Sequence, residues 1–249
     1  MILFPIKKGT VSQKFGVNPQ FYQKNFGIKA HNGIDCVSFH NDQLLACADM
    51  LIYKVNIGNY GSVSKGFGLH GIDRPDDFGN CNEWLYWHTR NTIPVKEGQE
   101  VKQGDIVAYE GASGDVYVNN IPVPDSEKGK PPYYKGTHLH WGRRPLKRVK
   151  GTDYTGKPKL NTNQGKVFVD SEGFSYDIME VNNGYAGFVD PFLLPIIYYP
   201  EWLVKRTTDI VSDGITLVEN EIESVEIKRT FYRTFIEILK GLLDIIRTY

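Results

Sequence analysis

The stretch Gly136-Thr-His138-Leu-His140-Trp-Gly142 has the alternation of a β-strand with two histidines on one face. Residues i and i+2 of a strand point to the same side, so the two imidazoles should stand about 6–7 Å apart. Leu139 should then point to the opposite side, into a core. One imidazole can bind a metal ion while the other reaches a substrate above it.

The rest of the chain has the composition of a β-rich globular protein. It contains 25 Gly, 15 Tyr and 13 Phe in 249 residues. Short apolar runs at residues 52–57, 106–109 and 166–169 are broken by Gly, Asn, Asp and Pro, which is typical of strands and turns. We therefore predict a mainly β fold.

Charge, hydropathy and cysteine content limit the partners and the compartment that we expect for the chain. The chain carries 29 Lys+Arg and 29 Asp+Glu, whereas nucleic-acid binders are usually basic, so no nucleic-acid partner is expected. No apolar run approaches the ~18 residues of a transmembrane helix. Lys7 and Lys8 follow a short apolar run rather than precede one, which predicts synthesis in the cytoplasm without a signal peptide. The three cysteines make no even disulfide framework and are expected to be reduced thiols.

The composition changes near residue 199, before which all six histidines lie. We predict a domain at residues 1–198 and a helical C-terminal extension at 199–249. Phe231, Phe235, Ile238 and Leu242 follow steps of four and three, as in an amphipathic helix. Residues 212–249 could pack on their own domain, form a homo-oligomer, dock to a virion, or lie on a membrane surface.

Two further motifs carry metal-binding side chains. They are His31-Asn-Gly-Ile-Asp35 and Tyr86-Trp-His88. A zinc hydrolase needs three N/O ligands and one open position, and His31, Asp35 and His140 would make such a set. Four residues of straight strand span about 13 Å, too far for one ion, so we predict a tight bend at Gly33.

The remaining histidines and the cysteine beside Asp35 have simpler interpretations. His40 and His70 lie outside any motif and are expected to be surface or hydrogen-bonded residues. Cys36 follows Asp35 directly, and a strand neighbour points to the opposite face, which favours burial in the core.

Taken together, these motifs resemble the lysostaphin/LytM-type zinc metallopeptidases (metallopeptidase family 23, with the duplicated hybrid motif fold). That family carries His-x-x-x-Asp, then Tyr-x-His, then a Gly-rich stretch before His-x-His. The supporting matches are Val11-Ser-Gln-Lys-Phe-Gly16, Val95-Lys-Glu-Gly-Gln-Glu-Val-Lys-Gln-Gly-Asp-Ile-Val107, Gly111-Ala-Ser-Gly114 and Val189-Asp-Pro191. The resemblance covers roughly residues 5–195.

The resemblance implies a fold and a role for each site residue. The fold is a sandwich-like antiparallel β-sheet domain with a substrate groove. His31, Asp35 and His140 are implied as ligands of one Zn²⁺ per chain. His88 and His138 are implied as the histidines beside the metal that transfer the proton during attack of water on a peptide carbonyl, and the base is either of the two.

The chain departs from the family pattern between Gly114 and His138, where about two dozen residues intervene. We predict that residues 119–137 form an exposed loop beside the groove and that Tyr133 and Tyr134 contact substrate. The basic run at residues 143–150 is predicted as a second exposed loop, either facing an anionic wall polymer or simply solvated.

The implied function is a zinc-dependent endopeptidase that cleaves peptides of bacterial peptidoglycan, in stem cross-links or interpeptide bridges. The expected setting is the cell wall, reached by a phage lysin or a virion-associated hydrolase. The alternatives are a structural phage tail component and an inactive wall-binding regulator with the same fold.

Overall fold

The computed structural model describes residues 1–38, 42–56, 66–129, 135–153, 155–157 and 165–199. The elements in these ranges are β1 (Ile2–Leu3), β2 (Gly9–Gln13), α1 (Pro19–Phe26), β3 (Ile34–Ser38), β4 (Gln43–Leu45), β5 (Met50–Asn56), β6 (Gly68–Asp73), β7 (Asn80–Trp87), β8 (Glu100–Val101), β9 (Ile106–Tyr109), β10 (Tyr117–Val118), β11 (Ile121–Pro122), β12 (Leu139–Val149), β13 (Lys166–Val169), β14 (Ser175–Ile178), a 3₁₀ helix (Pro191–Leu193) and β15 (Ile196–Ile197). The fold of the described residues is therefore mainly β, as predicted.

One sheet of nine strands dominates the structure. Its order is β13-β14-β12-β7-β6-β5-β8, with β3 paired to the start of β12 and β2 paired to β3. Every pair in this sheet is antiparallel. The predicted antiparallel architecture is confirmed.

The central strand β12 carries the site on one face and the core on the other. Leu139 and Trp141 are fully buried. Trp141 stacks on Trp84 with ring centroids 5.4 Å apart and meets Phe4 edge to face. Aromatic side chains bury large apolar areas, so this cluster fixes the strand that holds the histidines.

The prediction that residues 143–150 form an exposed loop is wrong, because residues 143–149 continue strand β12. Two of the five basic side chains in residues 143–150 are held by carboxylates. Arg144 donates to the buried Glu83, and Arg148 donates to Asp170 and Glu172. Long apolar stems and paired head groups let Arg occupy a half-buried strand.

Helix α1 was not anticipated from the sequence. It starts after Asn18 with Pro19 in its first turn, ends at Gly27 in the left-handed conformation, and has no buried residue. Two of its aromatic rings contact Tyr117 of strand β10. The ring centroids of Phe21 and Phe26 lie 4.9 Å and 6.0 Å from that of Tyr117. We call Phe21, Phe26 and Tyr117 the aromatic wall.

Residues Met1–Ile197 form one compact unit. The predicted helical extension falls almost wholly on residues 200–249, which lie outside the described residues, so the domain boundary and the helix stay predictions. None of the helices in the described residues has the length and apolar character to cross a membrane. Cys36, Cys47 and Cys81 are buried free thiols, as expected for Cys36.

Candidate metal centre

Strand register brings two of the three predicted ligands together. Asp35 of β3 is the direct cross-strand partner of His140 on β12. Side chains of cross-strand partners point to the same face with Cβ atoms about 5 Å apart. His140 is in turn the partner of Trp87 on β7, so the site sits on the face of the sheet and not in a loop.

The third ligand arrives through the bend predicted at Gly33. His31 and Asp35 approach to 3.0 Å between Nε2 and Oδ1, so the chain does fold back within four residues. A Cβ on Gly33 would lie 2.6 Å from His140 Cε1 and 2.9 Å from the Trp141 carbonyl oxygen. The glycine is needed because the His140 ring occupies the place of a side chain.

The three donor atoms form a nearly equilateral triangle. His31 Nε2 lies 3.0 Å from His140 Nδ1, and both lie 3.0 Å from Asp35 Oδ1. A tetrahedral zinc ion with bonds of about 2.0 Å holds its ligand atoms about 3.3 Å apart. The observed set therefore fits such an ion and supplies three of its four positions.

Backbone contacts decide which nitrogen of His31 is offered. Its Nδ1 lies 2.9 Å from the carbonyl oxygen of Lys14, which can only accept, so Nδ1 carries the proton. Its Nε2 is then a lone-pair donor pointing at Asp35 and His140. Such a hydrogen bond behind a ligating imidazole fixes its tautomer and orientation.

The electrostatics favour the ionised carboxylate and the neutral imidazole that metal binding requires. Burial raises the pKa of Asp35, but the neighbouring imidazoles of His138, His140 and His31 outweigh burial and hold that pKa well below its usual value. Burial lowers the pKa of His140 more than Asp35 raises it.

His88 and His138 lie side by side next to the triangle, with ring centroids 4.6 Å apart. His88 Nδ1 lies 2.6 Å from the Ser113 carbonyl oxygen, and His138 Nδ1 lies 2.8 Å from that of Gly136. Both rings therefore keep Nε2 for the site, and His138 Nε2 is 3.9 Å from Asp35 Oδ2. Burial and the neighbouring His138 and His140 lower the pKa of His88 well below its usual value.

His88 also adopts an unusual backbone conformation. It follows the last residue of β7 and has φ 63°. A left-handed conformation in a residue other than glycine costs about 1–3 kcal/mol and persists where the surroundings impose it. Here the bond to Ser113 and the contact with His138 hold the imidazole in place.

The site opens into a groove with a volume of about 1480 Å³. The aromatic wall lines one part of it, and strands β5, β6, β7 and β12 line another. Tyr22 packs its ring on His31 at 5.2 Å, a neighbour that sequence reasoning missed. Pro19 and Gly27 were the signals that could have revealed its helix.

Of the predictions for the other histidines and for the substrate tyrosines, the structure tests the one for His70. His70 is hydrogen-bonded to Glu83, as expected, with Nδ1 and Oε1 2.7 Å apart. His40, Tyr133 and Tyr134 lie outside the described residues, so their predictions are not tested.

No protein-family model and no curated protein matches the chain. Among solved structures, it is similar to the catalytic domain of the antimicrobial peptidase lysostaphin from Staphylococcus simulans, at 22% identity and TM-score 0.35, over 55% of this chain and 80% of that one. It is also similar to LytU at 24% identity and TM-score 0.35, over 57% and 76% of the two chains. A zinc-containing peptidase from Vibrio cholerae matches at 22% identity and TM-score 0.36, over 56% of this chain and 35% of that one. Identities and TM-scores this low concern the fold at most, so the functional argument rests on the site.

Proposed function

We propose that this protein is a zinc-dependent endopeptidase of the lysostaphin/LytM type. The observation that carries the proposal is the triangle of His31, Asp35 and His140 donor atoms, 3.0 Å apart, with two further imidazoles beside it in a groove. A structural zinc site closes all four positions with protein ligands, whereas a hydrolytic site leaves one open. Among the described residues, the group of His31, Asp35 and His140 offers three ligand atoms, which leaves the fourth position of a tetrahedral ion open.

The proposed chemistry divides between the ion and the protein. Zinc, when bound, polarises a carbonyl and lowers the pKa of water towards 7. His88 and His138, each with Nδ1 on a backbone carbonyl, present Nε2 to accept or return a proton. The groove positions an extended peptide over both histidines.

The proposed substrate is the peptide part of bacterial peptidoglycan, and that substrate class comes from the resemblance of the motifs to the lysostaphin/LytM-type family. The test is a preparation of the full chain loaded with zinc. It should hold about one zinc per chain and release peptides from a cell-wall suspension. His31→Ala should abolish both properties, whereas Lys8→Gln, an exposed lysine outside the groove, should leave both unchanged. Zinc-loaded protein that releases no peptide would contradict the proposal.

The proposed setting is a phage lysin or a virion-associated wall hydrolase, in which residues 212–249 oligomerise or dock. The sequence pattern of those residues supports the proposal. Truncation after residue 211 should keep wall hydrolysis and lose self-association in sedimentation experiments. A truncated chain that still self-associates would exclude this role for the segment.

A further inference from the structure

The floor of the groove is a continuous row of cross-strand partners. Asp35, His140, Trp87, Gly68 and Asn56 are register partners in that order across five strands, from β3 through β12, β7 and β6 to β5. Partners in a register row share a face of the sheet. The metal triangle therefore stands near one end of the row and Asn56 at the other.

The far end of the row is polar. Lys54 and Asn56 of β5 line the groove there together with His70 of β6. We call these three residues the polar corner. His70 is the register partner of Lys54, and its Nε2 lies 3.4 Å from Asn56 Nδ2.

A buried network holds the polar corner in position. Glu83 is fully buried, and its carboxylate accepts hydrogen bonds from Tyr53, His70 and Arg144. His70 Nδ1 is thereby directed to Glu83, which leaves Nε2 on the side of Asn56. A buried carboxylate with several partners is costly to disturb, so the corner is rigid beneath its surface.

The charges that line the groove are mainly positive. Its lysines and arginine are Lys14, Lys54, Lys135 and Arg144, against the carboxylates of Asp35 and Asp115. Lys135 pairs with Glu127 and Arg144 with Glu83. Lys14 and Lys54 are exposed, and neither has an ion-pair partner among the described residues.

We propose that the polar corner is a subsite for a carboxylate of the substrate peptide. Lys54 supplies an ammonium that has no ion-pair partner among the described residues, and Asn56 supplies amide N–H groups beside it, which together suit a carboxylate oxygen pair. This proposal rests on the proposed function and makes it more specific. It selects acidic stem peptides over neutral glycine bridges as the substrate class.

The distance from the metal centre sets the position of that carboxylate. Asn56 lies three strands from His140, which is about 14 Å at ~4.8 Å per strand. An extended peptide covers this distance in about four residues. The recognised carboxylate should therefore lie about four residues from the scissile bond. It should not lie next to that bond.

The test compares stem peptides that differ in one group. One peptide carries a free carboxylate about four residues from the cleaved bond, its pair carries a carboxamide there, and a neutral oligoglycine peptide completes the set. Zinc-loaded wild type should cleave the carboxylate peptide with about tenfold higher kcat/KM than the carboxamide, the effect of one charge-assisted hydrogen bond. Calorimetry on the same peptides should show the same order of Kd.

Three variants locate the subsite. Lys54→Gln should remove most of the preference, and Asn56→Asp should reverse it by adding a repelling charge. Lys8→Gln should keep it. Thermal melting and zinc content should match wild type in all three variants, because none of these side chains belongs to the metal triangle or to the core.

Two outcomes would overturn the subsite while leaving the proposed function intact. They are equal cleavage and equal affinity for the two peptides, and a preference that survives Lys54→Gln but is lost in Lys14→Gln. Cleavage of no peptide by zinc-loaded protein overturns the proposed function. In that case, the calorimetric difference between the two peptides still decides the subsite.

Discussion

Three histidines of the site have the same hydrogen-bonding arrangement. His31, His88 and His138 each direct Nδ1 to a backbone carbonyl, so that Nε2 is the nitrogen left for chemistry. A carbonyl oxygen cannot donate, so the tautomer is imposed by the backbone. In the proposed function, this arrangement sets Nε2 for ligation or proton transfer before any ion or substrate arrives.

The first prediction separates the two roles of the His-Leu-His motif. His138→Ala should retain zinc, because its ring is outside the triangle of donor atoms, and should lose at least about 10²-fold in kcat. Metal analysis and peptide release measure the two effects. Loss of zinc in this variant would mean that His138 and His140 have been interchanged.

The second prediction concerns the buried carboxylate below the polar corner. Burial raises the pKa of Glu83, but bonds from His70 and Arg144 outweigh it and lower the pKa from 4.5 to about 2. A carboxyl with a depressed folded pKa stabilises the fold above its unfolded pKa, and this stabilisation is lost as pH falls through the folded value. The free energy of unfolding should therefore decrease between pH about 4.5 and about 2.

Urea unfolding at pH 5 and pH 3 measures this decrease. Glu83→Gln should be less stable than wild type at pH 5, because Arg144 loses its partner, and should show a smaller difference between the two pH values. Asp49→Asn is the control. Because Asp49 is exposed, its substitution should change little the difference in unfolding free energy between the two pH values. If the free energy of unfolding changes equally between pH 5 and pH 3 in wild type and in Glu83→Gln, the depressed pKa assigned to Glu83 is contradicted.

At the scale of elements, strands that follow the rhythm of apolar runs were predictable. The runs at 106–109 and 166–169 are strands β9 and β13, and the run at 52–57 lies almost wholly within β5. The second half of β12 was not predictable, because Arg144 pairs with Glu83 on β7, 61 residues away, and Arg148 pairs with Asp170 just after β13, 22 residues away. Helix α1 was missed because it has no buried face, the feature that hydrophobic periodicity detects.

The third prediction concerns the bend between α1 and β3. Gly33→Ala should reduce zinc affinity, because its Cβ would displace the His140 ring and meet the Trp141 backbone. Overpacking of this kind costs about 1–3 kcal/mol. Gly173→Ala is the control, since Gly173 has φ +80° but no atom within 4 Å of the place that a Cβ would take, so it should lose stability without losing zinc. Wild-type zinc affinity in Gly33→Ala would contradict the steric argument.

For the whole molecule, the proposed metal ligands connect a strand near the edge of the sheet with its central strand. Among the described residues, Asp35 lies on β3, beyond which only β2 follows, whereas His140 lies on the central strand β12. The sequence predicted which three side chains meet, and the structure brings them together. It could not predict that the meeting follows from a direct register pair, since pairing of strands about 100 residues apart depends on the complete fold.

The fourth prediction concerns the link that Asp35 and His140 make between β3 and β12. Removal of zinc by a chelator should increase amide hydrogen exchange in β2 and β3 more than in β6 and β7. The ion would add a second link between β3 and β12 through Asp35 and His140, whereas β6 and β7 carry none of the three proposed ligands. Exchange followed by mass spectrometry compares the two pairs of strands. His31→Ala should resemble the chelated protein without further change on chelation. Uniform exchange changes over the sheet would contradict the prediction.

The three thiols of the chain have a consequence for where it can work. Cys36, Cys47 and Cys81 are all buried, with at most 6% of any of them exposed. Oxidants and disulfide partners attack accessible thiolates, and burial raises the pKa of all three groups. The odd cysteine count suggested a reducing compartment, yet their burial lets the folded chain enter an oxidising medium with all three thiols unaltered.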